Sequence, residues 1–285
     1  MRSPSCLCRA KSLMEPSAAV ASFGYHDVTD DPLSSGLQRP GALPFKLTGE
    51  LFGRHLAAIA AGPCVPELID EIDLGQPGRH VLLTFDDGGK SALRAGEELA
   101  RRGWKGHFFV ITNRVGQRPF LAAAEIRHLR SCGHVIGSHS HTHPNFFREL
   151  APAQMVEEWR VSRDWLAQLL GEPCVAASVP GGDISALVLR SAGEAGMRYL
   201  FTSEPTVTPG RVAGCWILGR FVPKCSTPPR RVRQLAQLRG WGSAMLLRRL
   251  KVGARVLLPA LYRRYVRNRT APDAAMSHRD AARSP

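Results

Sequence analysis

An apolar run, Val81-Leu82-Leu83, leads straight into Thr84-Phe85-Asp86-Asp87-Gly88-Gly89. A short apolar segment that stops at paired acids and glycines reads as a buried strand ending at a sheet edge, in a turn that lets another group approach closely. Successive side chains at a strand end point in different directions, so the two carboxylates need not share a role. One can bind a metal while the other stays free as a base. Taken alone, an Asp-Asp-Gly turn also fits a solvated loop that accepts backbone hydrogen bonds, and a second signal is needed to decide.

That signal lies further along. Gly137-Ser138-His139-Ser140-His141-Thr142-His143-Pro144 follows Val135-Ile136 and holds three of the ten histidines within five residues. His139 and His143 are spaced for one turn of helix, whereas an extended chain would put all three rings on one face. A polar loop whose histidines cap backbone groups is the plainer alternative. Imidazole with carboxylate is a ligand set suited to Zn, Fe, Co or Ni, and three protein ligands would leave positions open for water and substrate.

The two segments together resemble the polysaccharide deacetylase family of carbohydrate esterases. That family carries a Thr-Phe-Asp-Asp-Gly motif, here Thr84 to Gly88, and a His-Ser/Thr-x-x-x-His-Pro-like motif, here His139 to Pro144. The intervening segment is also similar: a helix over 92–102, the strand His107-Phe108-Phe109-Val110-Ile111 and a helix around 122–130. The resemblance runs from about residue 23 to about residue 224. It implies that Asp86 is the general base and that Asp87, His139 and His143 hold a divalent metal, Zn first, with Co, Ni or Fe as alternatives. His141 projects between the two histidine ligands and matches no family ligand. Such an ion polarises the acetamide carbonyl and acidifies water. Pro180-Gly181-Gly182 falls where the family has its third motif, so Gly181 is the expected oxyanion donor and Pro180 and Gly182 are expected substrate contacts.

Two departures accompany the resemblance. Ser178 stands where the third motif often has an arginine that contacts the base. The late Leu-x-x-His motif, whose histidine serves as the acid, has no clear match. Trp216-Ile217-Leu218-Gly219-Arg220-Phe221 lies in its place and offers Arg220, a poor proton donor because it stays charged, taken here as a substrate contact. His26, at the end of the strand within Ser22-Phe23-Gly24-Tyr25-His26-Asp27-Val28, is the substitute acid, provided it shares the rim formed by the other strand ends.

The remaining pattern supports an α/β architecture. The chain has 285 residues, 44% of them hydrophobic, enough for one substantial core. Short apolar runs alternate with helical periodicity: a helix over 152–170, a strand over 175–179, a helix near 184–195 and a strand over 199–202. The expected fold is an incomplete or distorted (β/α) barrel of the polysaccharide deacetylase type, with a basic helical C-terminal tail. Residues 1–20 are expected to be a disordered N-terminus, 21–225 the catalytic domain and 226–285 a basic amphipathic extension.

Charge is segregated. Residues 211–285 hold 17 Lys or Arg against Asp273 and Asp280, a balance of +15, so the rest of the +14 chain is nearly neutral. In the tail, Leu246, Leu250, Ala254, Leu257, Leu261 and Tyr265 fall on one helical face, with Arg248, Lys251, Arg255 and Arg263 largely opposite. Trp241, Tyr262 and Tyr265 favour interfaces, and Pro259 should kink or split the helix. Packing on the core and docking to an anionic membrane both fit, while nucleic-acid binding lacks a reading motif. Residues after about 268 are expected to be disordered. The seven cysteines are odd in number and lack Cys-x-x-Cys spacing, which argues against a disulfide framework or zinc knuckle and for a reducing compartment. No signal-peptide core or run of ~20 apolar residues is present. The expected placement is cytoplasmic, peripheral at the membrane. The expected function is metal-dependent N-deacetylation of an acetamido sugar in polysaccharide or glycolipid biosynthesis. The alternatives are an amidase of the same fold acting on a small non-sugar amide and a catalytically weakened carbohydrate-binding protein.

Overall fold

A computed structural model of the chain describes residues 18–258, 264 and 266–268. The first half contains β1 (Ala19–Tyr25), β2 (Asp27–Val28), β3 (Lys46–Leu47), α1 (Gly49–Ala60), β4 (Pro66–Glu67), β5 (Arg79–Phe85), α2 (Ala92–Ala100), β6 (His107–Val110) and α3 (Ala123–Ser131). The second half contains β7 (Val135–Ser138), α4 (Pro152–Leu170), β8 (Ala176–Ser178), α5 (Ala186–Glu194), β9 (Tyr199–Phe201), β10 (Gly210–Val212), β11 (Cys215–Leu218), α6 (Pro229–Ala236) and α7 (Trp241–Leu257). The main sheet runs β1-β5-β6-β7-β8-β9-β11-β10, with β4 beside β5, and only β10 is antiparallel. Past β11 the chain returns to the first strand. The Phe221 amide donates to the Ser22 carbonyl and the Gly24 amide donates to the Phe221 carbonyl, both at 2.9 Å. The sheet therefore curls into the expected distorted barrel, stitched shut by a single bridge between Phe23 and Phe221.

The two-residue alternation of the strands sorts the core into layers. Ala21, Phe23 and Tyr25 of β1 and Val81, Leu83 and Phe85 of β5 face outward, where they pack with Phe52, Leu56 and Ile59 of α1 and Ala95 and Leu99 of α2. Val20, Leu82, Phe109, Ala176, Phe201 and Leu218 point inward and form a separate apolar cluster. Continuing the inward parity up each strand replaces these apolar residues by polar ones: Thr84 and Asp86 on β5, Ser178 on β8 and Arg220 beyond β11. A barrel apolar at one end and polar at the C-terminal ends of its strands sets up a site at that mouth.

The expected helix over 152–170 is α4 to the residue, and most other expected elements are shorter at one or both ends. Helix α1 was not among the expected elements, although its signals are present. Thr48 caps it through Oγ1, which accepts from the Leu51 amide, and Phe52, Leu56 and Ile59 share its buried face. Part of the chain beyond residue 225 packs on the core. Val232, Leu235 and Ala236 of α6 pack into the outer core, and the Trp241 indole donates to the Leu235 carbonyl beside Phe23. Of the N-terminus expected to be disordered over 1–20, Ala18 is buried and Ala19 and Val20 open β1, because their side chains pack in the sheet. Residues 1–17, the Pro259 kink, the parts of the amphipathic helix at Leu261, Tyr262, Arg263 and Tyr265, and the disorder expected after 268 lie outside the described residues.

His107 illustrates how the interior is satisfied. Its Nε2 accepts from the Ile69 amide, so Nδ1 carries the proton and donates to the Leu83 carbonyl, both at 2.9 Å. Burial pushes this imidazole down to about 4. A lowered histidine costs nothing above the unfolded value of about 6.5 and opposes folding as pH falls below it. Between pH 6.5 and 4 the ring should therefore remove about 3 kcal/mol of stability. Urea unfolding in chelator should show that acid loss shrinking in His107→Gln. An unchanged acid slope in the variant would contradict a buried neutral ring.

Candidate metal centre

Asp86 keeps the inward parity of β5, but Asp87 breaks it with a left-handed backbone at φ 74°. That turn swings its carboxylate toward the second histidine segment. Ser140 and His143 are also left-handed, at φ 62° and 55°. Such conformations cost about 1–3 kcal/mol each in a non-glycine residue and mark places where geometry is imposed by surroundings. Here the surroundings are hydroxyl bonds: Ser138 Oγ accepts from the Ser140 amide and Ser140 Oγ accepts from the His143 amide. The result is neither the helical turn nor the extended run anticipated for this segment. His139 Nε2 lies 3.3 Å and His143 Nε2 3.7 Å from Asp87 Oδ1, all buried. His141 turns away, its Nδ1 3.0 Å from Thr112 Oγ1, and does not project between the other two.

This donor set fits a divalent ion. Asp87, His139 and His143 form the one group of metal-competent side chains among the described residues. Asp87 Oδ1 is buried without a hydrogen-bond partner. His139 Nδ1 donates to the Ser178 carbonyl at 2.9 Å, which fixes Nε2 as the free lone pair facing Asp87. Burial pushes the Asp87 carboxyl up, yet the adjoining His139, His26 and His143 hold it well below the carboxylate range. Burial and the charge on His139 push His143 down to about 3. An ionised acid and a neutral imidazole are the states a metal requires. His139 moves the other way: burial lowers it, but Asp86 and Asp87 outweigh burial and raise it. The two carboxylates thus draw a positive charge to the spot an ion would fill.

Asp86 is fixed by an arginine that the motifs did not anticipate in this role. Arg220 Nη1 donates to Asp86 Oδ1 at 2.8 Å and Nη2 donates to Oδ2 at 2.9 Å. The remaining guanidinium protons go to Thr84 Oγ1, Ser178 Oγ and the Thr202 carbonyl. All five N–H groups are spent, so Arg220 is not a substrate contact as expected. It supplies from the far end of the sheet the arginine that Ser178 displaces, and Ser178 Oγ itself donates to Asp86 at 3.1 Å. Burial favours protonation of Asp86, but Arg220, followed by His139, holds it below the usual range. Gly24 makes the close passage feasible, because a Cβ there would stand 3.2 Å from Arg220 Cζ.

A family model described as polysaccharide deacetylase matches residues 73–200, which include both motifs and the cluster. Over those residues, just under half of the chain, the sequence is that of a polysaccharide deacetylase domain. Among curated relatives, the peptidoglycan-N-acetylglucosamine deacetylase PgdA of Listeria monocytogenes is 34% identical over 83 residues, 28% of this chain and 17% of that protein. The match therefore spans less than a fifth of that relative. The fold is shared with Streptococcus pyogenes deacetylase PplD in complex with acetate, at TM-score 0.62 and 18% identity over 77% of this chain and 99% of that one. IcaB from Ammonifex degensii aligns at TM-score 0.64 and 21% identity over 78% and 98%.

The deacetylase domain surrounds its cluster with two adjoining clefts. One, of 290 Å³, is lined by His26, Phe45, Asp86, Gly181, Phe221 and Leu247, among others. The other, of 250 Å³, shares His26, Phe45, Gly181 and Lys224 and adds Asp87 and His143. His26 therefore stands on the rim with both acids, its ring stacked on Phe45 at 5.0 Å and its Nδ1 buried without a partner. Gly181 is exposed there at φ 59°, with nothing within 4 Å of where a Cβ would point. Gly182 lines the first cleft, while Pro180 is buried and is not among the lining residues of either. Helix α7 forms one wall through Ala244, Leu247 and Arg248, a contribution that only three-dimensional packing reveals.

The Asp86–Arg220 pair generates a stability test. Arg220→Met should leave a buried carboxylate unpaired and cost about 3–5 kcal/mol. Adding Asp86→Asn removes the stranded charge, so the double variant should unfold at higher urea than Arg220→Met alone. Equal midpoints for the single and double variants would show that the carboxylate does not depend on the arginine.

Proposed function

We propose that the chain is a metal-dependent N-deacetylase that hydrolyses the acetamide of an amino sugar in a polysaccharide or glycolipid. The observation that carries this reading is Asp86, clamped by Arg220, beside the Asp87–His139–His143 cluster where two clefts adjoin. PgdA, the sequence relative, is a peptidoglycan-N-acetylglucosamine deacetylase, and the fold neighbour PplD is a deacetylase seen with acetate.

In this reading Asp87, His139 and His143 hold the ion, for which Zn suits the nitrogen and oxygen donors and Co, Ni or Fe are compatible. When bound, a divalent ion polarises a carbonyl and makes water more acidic. Asp86 accepts the proton of the water that adds to the amide carbon. Arg220 keeps that carboxylate ionised and aimed. The exposed Gly181 amide donates to the oxyanion that develops on the former carbonyl. His26 delivers a proton to the departing nitrogen as the carbon–nitrogen bond breaks, leaving acetate and a free amine. The reading as a weakened sugar-binding protein rested on the missing arginine and histidine, and Arg220 and His26 answer both.

The tail supports a placement at an anionic membrane surface. Leu246, Leu247, Leu250, Leu257 and Leu258 are more than half exposed on or beside α7. Residues 205–272 contain no Asp or Glu, so the apolar stripe sits in a field of one sign. No helix among the described residues is long and apolar enough to cross a membrane. Cys64, Cys132, Cys174, Cys215 and Cys225 are all free, which fits a reducing, cytoplasmic compartment.

Acetate release should be measured on soluble acetamido sugars, lipid-linked acetamido sugars and small non-sugar amides, with added metal. Asp86→Asn should retain metal but lose roughly 10²–10⁴-fold in turnover, and Asp87→Asn should lose the metal itself. His26→Ala should depress turnover with metal content intact. Release from small amides alone would favour the amidase reading, and stoichiometric metal in Asp87→Asn would remove the ligand assignment.

Membrane docking has its own readout. The intact chain should co-sediment with phosphatidylglycerol-rich vesicles and much less with phosphatidylcholine vesicles, and Leu246→Ser/Leu250→Ser should weaken this. Equal sedimentation with both vesicle types would end the membrane placement.

A further inference from the structure

Beyond His143, on the side away from α7, a groove of 470 Å³ continues from the cluster. Arg39, Arg114 and Arg118 line it, with Gln117 and Asn145. It shares Arg39, His143, Pro144 and Asn145 with the cleft that holds Asp87, so the two are continuous. No carboxylate is among the groove's lining residues. Arg39 Nη1 donates to Asn145 Oδ1 at 2.8 Å and Arg114 Nη1 to Gln117 Oε1 at 3.4 Å, both neutral acceptors. Some other arginines meet acids, such as Arg94 with Asp30, Arg130 with Glu172 and Arg248 with Glu204, while Arg79 and Arg231 bond backbone carbonyls.

Arg39, Arg114 and Arg118 thus bring positive charge to one groove whose lining holds no acid. Burial and, after it, the charge balance with Asp87 and Arg114 leave the Arg39 guanidinium below its ordinary value. The Asn113 amide donates to the His141 carbonyl at 3.1 Å, and the Gly36 amide to the Pro119 carbonyl at 3.2 Å. The backbone segments that carry the arginines are therefore tied to the histidine segment and to each other. Guanidinium groups lining one groove with no carboxylate among its lining residues are complementary to a carboxylate or a phosphate ester, which they can grip through paired hydrogen bonds.

We propose that this groove is a subsite for an anionic substituent, a carboxylate or a phosphate ester, on a sugar neighbouring the one that is deacetylated. The substrate is then an acidic glycan, an inference that rests on the deacetylase reading above. The anion engages Arg39, Arg114 and Arg118 and sets which acetamide is presented to the cluster.

Binding and turnover separate this inference from the reading beneath it. Tetragalacturonate and glucose 6-phosphate carry no acetamide, so their binding to the metal-loaded protein reads the groove alone. At least one should bind, with affinity falling about tenfold in Arg114→Gln and in Arg118→Gln and falling further as salt is raised. Both arginines are exposed, so these substitutions leave the core untouched. In the second arm, acetate release is compared for N-acetylglucosamine oligosaccharides that bear a uronate, bear a phosphate, or are neutral. A higher kcat/KM for one charged substrate, lost in the two variants, identifies which anion the groove takes. If all three substrates are equal, or if neither probe shows arginine-dependent binding, the subsite is refuted. If none of them releases acetate, the deacetylase reading fails, and the probe titrations still decide the groove.

Discussion

The buried pair between Asp86 and Arg220 is the interaction on which the rest of the site depends. Its partners come from opposite ends of the sheet, β5 near the start and the segment after β11 near the end. Arg220 also binds Thr84, Ser178 and Thr202, so one guanidinium joins residues on or just past β5, β8 and β9 at the axis of the barrel. Hydrogen bonds from Phe221 and Gly24 stitch the same segment to β1. Two buried charges rarely gain enough from each other to repay their desolvation. This pair is better understood as a device that fixes position, because it holds an ionised carboxylate where an apolar replacement would leave none. Phe109 and Phe201, near 6 Å from Arg220 Cζ, close the space beneath it.

Adjacent acids acquire different surroundings through one backbone turn. Asp86 follows strand parity into the barrel and meets an arginine. Asp87, left-handed, leaves that parity and meets two imidazoles. The neighbouring residue numbers conceal a separation of electrostatic environments. One carboxylate is satisfied by a permanent cation inside the protein, the other by groups whose charge depends on what they bind. The strain at Asp87, Ser140 and His143 is concentrated where that second environment is built, and the Ser138 and Ser140 hydroxyls maintain it.

The sequence made the strand-end acids, the histidine segment and most β/α units legible because each rests on local signals: an apolar run, a turn, a helical period. Helix α4 could be bounded to the residue because Pro152 opens it and Gly171, left-handed at φ 70°, closes it. What stayed hidden depends on distance in the chain. Arg220 lies 134 residues from Asp86, and nothing local distinguishes it from an exposed arginine. Its only nearby signal was placement two residues past Leu218, in the inward parity of β11. The fate of His141 was equally illegible, since the extended and helical alternatives both failed at left-handed Ser140. The basic tail left packing and membrane docking both open, and only three-dimensional contact shows Val232, Leu235 and Trp241 among the arginines joining the core.

The cleft is asymmetric. Toward Asp86 it is bordered by Phe45, Val179, Phe221 and Leu247, and toward His143 by Arg39 and Asn145. Apolar and aromatic walls suit the carbon face of a sugar ring, whereas arginines suit its charged substituents. In the proposed reading, a glycan across this floor would place its acetamide near the carboxylates and its charge beyond His143. The same asymmetry puts α7 and its exposed leucines on the apolar side. A lipid surface meeting that helix would lie against one wall of the cleft and leave the arginine groove on the opposite side open to the aqueous part of the substrate. Surface and groove then make compatible demands on a molecule with an apolar end and an acidic sugar end, and the metal-binding cluster lies between them.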